Sequence, residues 1–257
     1  MFTEFINLHN HNHLSKPFFQ DKQPGYSALL RYARVLQFED IKIKLDPEHN
    51  LFAIIAINNT KPGPAIGGCR YQHYNSFNIA LKDAIRLGYM MTIKAAMQEL
   101  PHGGAKAVIL QPNIQHDREG FFKTFGHFVN ELDGCYITAQ DAGTTIEDMQ
   151  CIHQTSNYVI GGSQLEKQDP SVFTAYGVLM GIKAAVKYKL KKESLANIHV
   201  AVQGLGNVGY KLCQMLRNEG CQLTLFDLDK QKTKAIAEEL SAHYVQQAED
   251  IYNTPCD

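Results

Sequence analysis

The sequence has no run of about 18 apolar residues, which argues against a helical membrane span. It has no excess of basic charge either. Lys and Arg number 25 against 26 Asp and Glu, a net charge of −1, so little holds a phosphate backbone and nucleic-acid binding is not expected. The N-terminus lacks a basic segment followed by an apolar one, the mark of a secretory leader. The six cysteines include no C-x-x-C pair, which removes the usual zinc and thioredoxin-like signatures. Scattered cysteines in a chain of 257 residues suit a reducing cytoplasm, where they act as small core residues. Internal repeats and low-complexity segments are also absent.

What is present reads as an α/β protein. The first 28 residues show little periodicity and read as a flexible tail; His9, His11 and His13 share one face if extended, the only hint of a metal site, and no metal is expected. From Ile41 to Ile57 an alternating segment, the turn signal PEHN and an apolar run predict a hairpin. KPGPAIGG reads as a loop by its Pro and Gly content. Ser76 to Met97 reads as a helix capped by Ser76, with Ile79, Ile85, Leu87 and Met91 on its apolar face. Lys106 to Leu110 is a short buried strand after a Gly-Gly turn. Phe121, Phe122, Phe125, Phe128, Val129 and Leu132 follow helical spacing as a core stripe. Cys135 to Ala139 is a strand running into QDAGTTIED, where Thr144 and Glu147 form a capping box, so Asp141 sits in a loop at a strand's carboxyl end. Gly161 to Ser171 reads as an interdomain hinge, followed by a helix from Val172 to about Lys189. The domains expected are 29–165, for substrate and catalysis, and 166–257, for a dinucleotide.

The second domain carries its own signature. Ile198 to Gln203 is an apolar strand, Gly204, Gly206 and Gly209 form G-x-G-x-x-G, and a helix begins there with Val208, Leu212, Met215 and Leu216 on one face. Gly204 allows the tight turn, Gly206 lets the backbone approach a pyrophosphate, and Gly209 lets helix and strand pack closely. Asn207 and Val208 open the helix, whose N-terminal N–H groups suit phosphate. A second strand, Gln222 to Phe226, ends at Asp227, 18 residues after Gly209. An acid there accepts hydrogen bonds from both ribose hydroxyls and repels a 2′-phosphate, which favours NAD over NADP. Asp229 competes for that role, but Asp227 fits the strand end better. A third short strand near His243 to Val245 is the last found, where a complete Rossmann sheet has six.

Lys94, near the end of a long helix, and Lys106 are both flanked by apolar residues. Two cations brought together in a closed cleft depress each other's pKa, and desolvation acts the same way, so one serves as a base and the other holds a carboxylate. Lysines that snorkel at element ends are the competing explanation.

The motifs GPAIGGCR, MTIKAAMQELPHGGAKAVI, YITAQDAGTTIEDM, TAYGVLMGIKAA and VAVQGLGNVG occur in the order seen in the Glu/Leu/Phe/Val amino-acid dehydrogenases, and the chain resembles that family from about Tyr32 to Asp257, its leucine dehydrogenases above all. The resemblance implies that Lys94 binds the α-carboxylate, that Lys106 is the catalytic lysine that activates water, and that Asp141 exchanges a proton with the amino group. Gly67 and Gly68 match the loop near the substrate's main chain, and Thr174 a threonine near the nicotinamide. The implied reaction turns an L-amino acid, NAD and water into a 2-oxo acid, ammonium and NADH. In glutamate dehydrogenases a lysine stands just before the Gly-Gly pair and reads the side-chain carboxylate; here that residue is Ile66, so an aliphatic substrate is expected, with Ile66 and Ala139 lining its pocket. Leucine is the first choice, then valine or isoleucine, with phenylalanine separated only by pocket size. A homo-oligomer is also implied. The absent second half of the Rossmann sheet leaves an alternative of a different class, a truncated, catalytically inactive homologue that binds an amino acid or a partner subunit.

Overall fold

The computed structural model describes residues 3–7, 26–162 and 169–257, and the chain divides into two units, Met1–Lys167 and Gln168–Asp257. The segment carrying His9, His11 and His13, and the middle of the expected hinge, lie outside the described residues. Among the described residues no cluster of His, Cys, Asp or Glu is arranged to hold a metal, and no helix is long and apolar enough to cross a membrane.

The first unit is a six-stranded mixed sheet in the order β1-β2-β3-β5-β4-β6. Its strands are β1 (Thr3–Asn7), β2 (Asp40–Asp46), β3 (Leu51–Ile57), β4 (Ala65–Gln72), β5 (Gly103–Leu110) and β6 (Tyr136–Gln140). The hairpin of β2 and β3 is as the alternation predicts, with Ile43 opposite Ile54. In the stretch read as a tail, Thr3–Asn7 pairs antiparallel with β2, whose outer edge supplies the backbone partners that five residues alone lack. Four helices accompany the sheet: α1 (Tyr26–Val35), α2 (Phe77–Met97), α3 (Arg118–Asn130) and α4 (Ile146–His153).

Each face of the sheet has its own core. The phenylalanine stripe of α3 packs with Cys69, Tyr71, Ala105, Ala107, Ile109 and Tyr136 on one face. Ile54, Ala56 and Val108 meet Ala80, Leu81, Ala84 and Ile85 of α2 on the other. The buried side of α2 is thus rotated from the expected one: Ile85 is on it, Leu87 and Met91 are half-buried, and Ile79 is exposed. Small residues prevail there because α2 lies close to the strands, where Ala and Gly fit and longer side chains do not.

Two glycine-rich stretches read as a loop and a turn are strands. Ala65 to Gly68 belongs to β4, and Gly103 and Gly104 open β5. A Cβ at Gly67 would lie 1.7 Å from the Ala105 carbonyl oxygen, so the glycine marks close backbone approach within a sheet rather than a turn. The capping box also sits one residue later than expected. Thr145 caps α4, accepting from the Asp148 N–H, while Asp148 accepts from the Thr145 N–H at 2.7 Å. Asp148 prevails over Glu147 because Arg118 also holds it, at 2.7 and 2.8 Å, and because Thr144 is engaged elsewhere.

The second unit opens with α5 (Pro170–Leu190), which begins two residues before the expected Val172, at the cap supplied by Asp169. Then come β7 (His199–Gln203), α6 (Asn207–Asn218), β8 (Gln222–Phe226), α7 (Lys230–Glu239), β9 (His243–Tyr244) and α8 (Ala248–Asn253). The three strands are parallel, in the order β7-β8-β9, the arrangement of one mononucleotide-binding half of a doubly wound fold. Leu179 of α5, Leu212, Cys213 and Leu216 of α6 and Ile236 of α7 pack on Leu223 and Leu225. The cysteines are all free. Cys69, Cys213 and Cys221 are buried as core residues, Cys151 is half-buried, and Cys135 and Cys256 are exposed, so the expected core role holds for half of them.

Candidate active site

Strand alternation sets the site. On β4, β5 and β6 the residues that face α3 are mostly apolar and buried, and the opposite face carries Ile66, Gly68 and Arg70 of β4, Gly104 and Lys106 of β5, and Ile137 and Ala139 of β6. Asp141 follows β6 on this same face. The parallel registers pair Ile66 with Gly104 and with Ile137, and Gly68 with Ala139. Cys69 pairs with Ala107, so Gly68 runs beside Lys106. Gly68 therefore leaves a gap between β5 and β6, and a Cβ there would come within 2.8 Å of the Asp141 Cβ. Across that gap Lys106 Nζ reaches Asp141 Oδ2 at 2.9 Å.

Lys106 is only 4% exposed. Burial pushes its ammonium below the ordinary lysine range, and the Asp141 charge and hydrogen bond only partly restore it. At Asp141 the balance falls the other way. Burial raises the carboxyl, but Lys106 and Arg70 together hold it below the usual carboxylate range. The loop around it is tied down by Thr144, whose hydroxyl accepts from the Asp141 N–H at 2.9 Å and lies 2.8 and 3.2 Å from the carbonyls of Asp141 and Cys69. Arg118 donates to the Gly143 carbonyl at 3.0 Å.

Arg70 is the residue that reading the sequence passed over. Its Nε donates to Asp141 Oδ2 at 3.0 Å and its Nη1 to Asp83 Oδ2 at 3.0 Å. The signal was its position in GPAIGGCR, two residues from Gly68 and so on the same strand face; taking that segment for a loop hid the alternation. The other expected site residues of this unit are placed as follows. Lys94 is exposed near the end of α2. Gly67 and Gly68 are buried in β4, Gly67 pointing away from Lys106, with its carbonyl accepting from the Tyr136 hydroxyl at 2.6 Å. Ile66 and Ala139 are half-buried on the Lys106 face.

In the second unit Gly204 adopts φ +93°, a left-handed conformation suited to glycine, and a Cβ at Gly209 would lie 1.9 Å from the Gly204 carbonyl oxygen. Gly206 begins α6 with open space where its Cβ would be and no side-chain cap, so Asn207 and Val208 present a helix N-terminus with free N–H groups. The Asp227 carboxylate accepts from the Leu205 N–H at 2.6 Å and the Asp229 N–H at 3.1 Å, and these bonds hold it below the usual carboxylate range. Asp229 caps α7 through the Lys232 N–H, which commits the rival acid to its own helix. Thr174 is exposed one turn into α5, its hydroxyl donating to the Pro170 carbonyl. An open glycine cradle at a helix N-terminus beside a charged strand-end acid fits a dinucleotide's pyrophosphate and ribose.

Residues 33–158 match the dimerisation domain of the Glu/Leu/Phe/Val dehydrogenases, and residues 199–255 match the NAD binding domain of 6-phosphogluconate dehydrogenase. The chain is 43% identical to the leucine dehydrogenase of Geobacillus stearothermophilus over 231 residues, 89% of this chain and 63% of that protein. It superposes on the crystal structure of L-tryptophan dehydrogenase from Nostoc punctiforme with a TM-score of 0.65 and 36% identity, covering 89% of this chain and 64% of that one. The hetero-hexameric glutamate dehydrogenase of Thermus thermophilus matches in fold, with a TM-score of 0.64 at 18% identity over 94% of this chain and 69% of that one. The chain thus spans a little under two thirds of the length of the leucine dehydrogenases it matches. With its buried lysine and half-buried carboxylate on one and its glycine cradle on the other, the chain carries the dimerisation domain of the Glu/Leu/Phe/Val dehydrogenase family followed by an NAD-binding domain.

Proposed function

We propose that the chain carries out NAD-dependent oxidative deamination of a neutral, aliphatic L-amino acid, leucine first. The observation that carries this is the Lys106–Asp141 pair, a buried lysine with a lowered pKa 2.9 Å from an ionised carboxylate, on a strand face that also carries Ile66, Ile137 and Ala139. Both cations at Asp141 take Oδ2, and Oδ1 receives no hydrogen bond from the described residues. Oδ1 is the atom placed to take a proton from the substrate's ammonium group. Lys106, in the neutral amine form that burial favours, takes a proton from the attacking water and gives it up later to the departing amine. Lys94, exposed near the end of α2, holds the α-carboxylate. Gly204, Gly206 and Gly209, the first turn of α6 and Asp227 would hold NAD, with Thr174 toward its nicotinamide; when bound, the nicotinamide supplies the hydride acceptor.

Ile66 supports the neutral substrate. It pairs with Gly104 and Ile137, so neither Ile66 nor its strand partners supplies a cation to meet a side-chain carboxylate. Relatives named for leucine, tryptophan and phenylalanine share this region, and size separates those substrates by only about 1–3 kcal/mol per methylene. Assembly as a homo-oligomer through residues 33–158 in a cytoplasmic setting belongs to the same proposal.

The test is NADH formation at 340 nm from folded protein with NAD and leucine, valine, phenylalanine, tryptophan or glutamate. Leucine is expected to have the highest kcat/KM and glutamate to be inert. Lys106→Ala is expected to lose turnover, by about 100-fold or more, and Lys94→Ala to raise KM. The alternative is binding of an amino acid or a partner subunit without turnover. No NADH from folded protein that binds leucine decides for it.

A further inference from the structure

We infer that Arg70 is a positioning residue: held from behind by Asp83, which Tyr74 holds in turn, it fixes the Asp141 carboxylate against Lys106 and leaves Oδ1 free to face a substrate. The inference rests on the roles proposed for Lys106 and Asp141, and adds the group that sets their geometry.

A carboxylate at the start of a loop has rotational freedom about its side-chain bonds. One contact, from Lys106, fixes a distance but not an orientation, because an ammonium is a point charge with three equivalent donors. The Arg70 guanidinium is planar and presents its donors at fixed angles. Here it uses Nε toward Asp141 and Nη1 toward Asp83, both at 3.0 Å, so its plane is defined by two anions on different elements. Asp83 lies on α2 and is itself bound, by the Tyr74 hydroxyl at 2.8 Å on the same Oδ2 and by Arg86 Nη2 at 3.3 Å on Oδ1. Burial and the neighbouring Asp83 push the Tyr74 phenol well above its ordinary range, so it stays a donor. The result is a chain from α2 through β4 to the loop after β6, ending at Lys106 on β5.

The charges also require this arrangement. Lys106 and Arg70 converge on one oxygen and repel each other. Asp83 on the far side of the guanidinium offsets that repulsion, and its side chain is 13% exposed, so solvent screens the interaction only in part. The other titratable groups that feel the Asp141 charge are Cys69, Tyr136 and Tyr74, and burial keeps each neutral, with the Cys69 thiol pushed up to about 12 and both phenols raised. Asp141 thus faces two cations directly and one anion through Arg70. Removing Arg70 frees the carboxylate to turn and takes away part of what keeps it ionised, while leaving Lys106 in place.

The test uses the full chain with Arg70→Gln, Arg70→Lys and Asp83→Asn, and two readouts. The Asp141 carboxyl is titrated by carbon-13 NMR in the absence of substrate, assigned through Asp141→Asn. In Arg70→Gln its midpoint is expected to rise; in Asp83→Asn, which leaves the guanidinium without its second anchor, the midpoint moves less. With leucine and NAD, kcat is expected to fall about 100-fold in Arg70→Gln with KM changed far less, and the acid limb of the kcat profile to move to higher pH. Arg70→Lys, which keeps the charge without the fork, is expected to keep the NMR midpoint near that of the wild type but to lose most of kcat. If Arg70→Gln does not fold, the Arg70→Lys split between midpoint and kcat decides. An unchanged Asp141 midpoint in folded Arg70→Gln overturns the inference, as does an Arg70→Lys variant with full kcat. A wild-type protein without turnover sinks the proposed function instead, and the NMR titration then still decides the role of Arg70.

Discussion

At the scale of single residues, the Lys106–Asp141 pair shows how burial and charge compete. Lys106 sits below its ordinary range although a carboxylate stands 2.9 Å away, because desolvation outweighs the attraction. Removing that carboxylate should lower the lysine further: in Asp141→Asn the pH at which Lys106 becomes reactive toward acetic anhydride, followed by mass spectrometry, is expected to fall below the wild-type value. A rise would mean that burial is not what governs the lysine. The stability effect of Asp141 has the opposite pH window. Its folded-state pKa is depressed, so its contribution is present above the unfolded carboxyl's pKa of about 4 and disappears as pH falls through the lower folded value. Lys106 and Asp141 were legible in the sequence because a lysine after Gly-Gly and an aspartate after a strand are each unusual and stand in a recognisable order of motifs. Arg70 was not, because an arginine at a strand's end is ordinary until the register shows which carboxylate it meets.

At the scale of elements, most strands and helices followed from periodicity, and the errors share a cause. Proline and glycine in KPGPAIGG and HGGAK suggested turns, yet Gly67, Gly68 and Gly104 lie within strands, where absent side chains admit neighbouring backbone and Asp141. Composition cannot distinguish a glycine that bends the chain from one that clears space. The cap of α4 is a second case: Thr144 and Thr145 each stand three residues before an acid, and only the tertiary partners Arg118 and Cys69 separate them. This register has a measurable consequence. Thr145→Ala should cost about 1 kcal/mol of stability. Asp148→Ala should cost more, since Asp148 is buried and serves both the cap and Arg118. Glu147→Ala, at an exposed position, should change little. Chemical denaturation of the three variants orders them; a Glu147 variant less stable than the Thr145 one would restore the register read from sequence.

At the scale of the whole molecule, the first unit is built on two cores and the second on one. With a net charge of −1 the chain as a whole offers no field to draw in an anionic dinucleotide, so selectivity has to come from the cradle itself. There the attraction is the α6 N-terminus and the repulsion is Asp227, kept ionised at neutral pH by the Leu205 and Asp229 N–H groups. A dinucleotide that binds the folded state alone stabilises it by about 2.7 kcal/mol at 100 times its Kd. Thermal melts with NAD are therefore expected to shift upward, and melts with NADP at the same concentration to shift less, because a 2′-phosphate brings negative charge against the carboxylate. Asp227→Asn removes the charge while keeping an oxygen to accept the Leu205 N–H, so the gap between the two cofactors should narrow without loss of the fold. Equal shifts with NAD and NADP in the wild-type protein would remove Asp227 from the discriminating role, and no shift with either would remove the cradle itself.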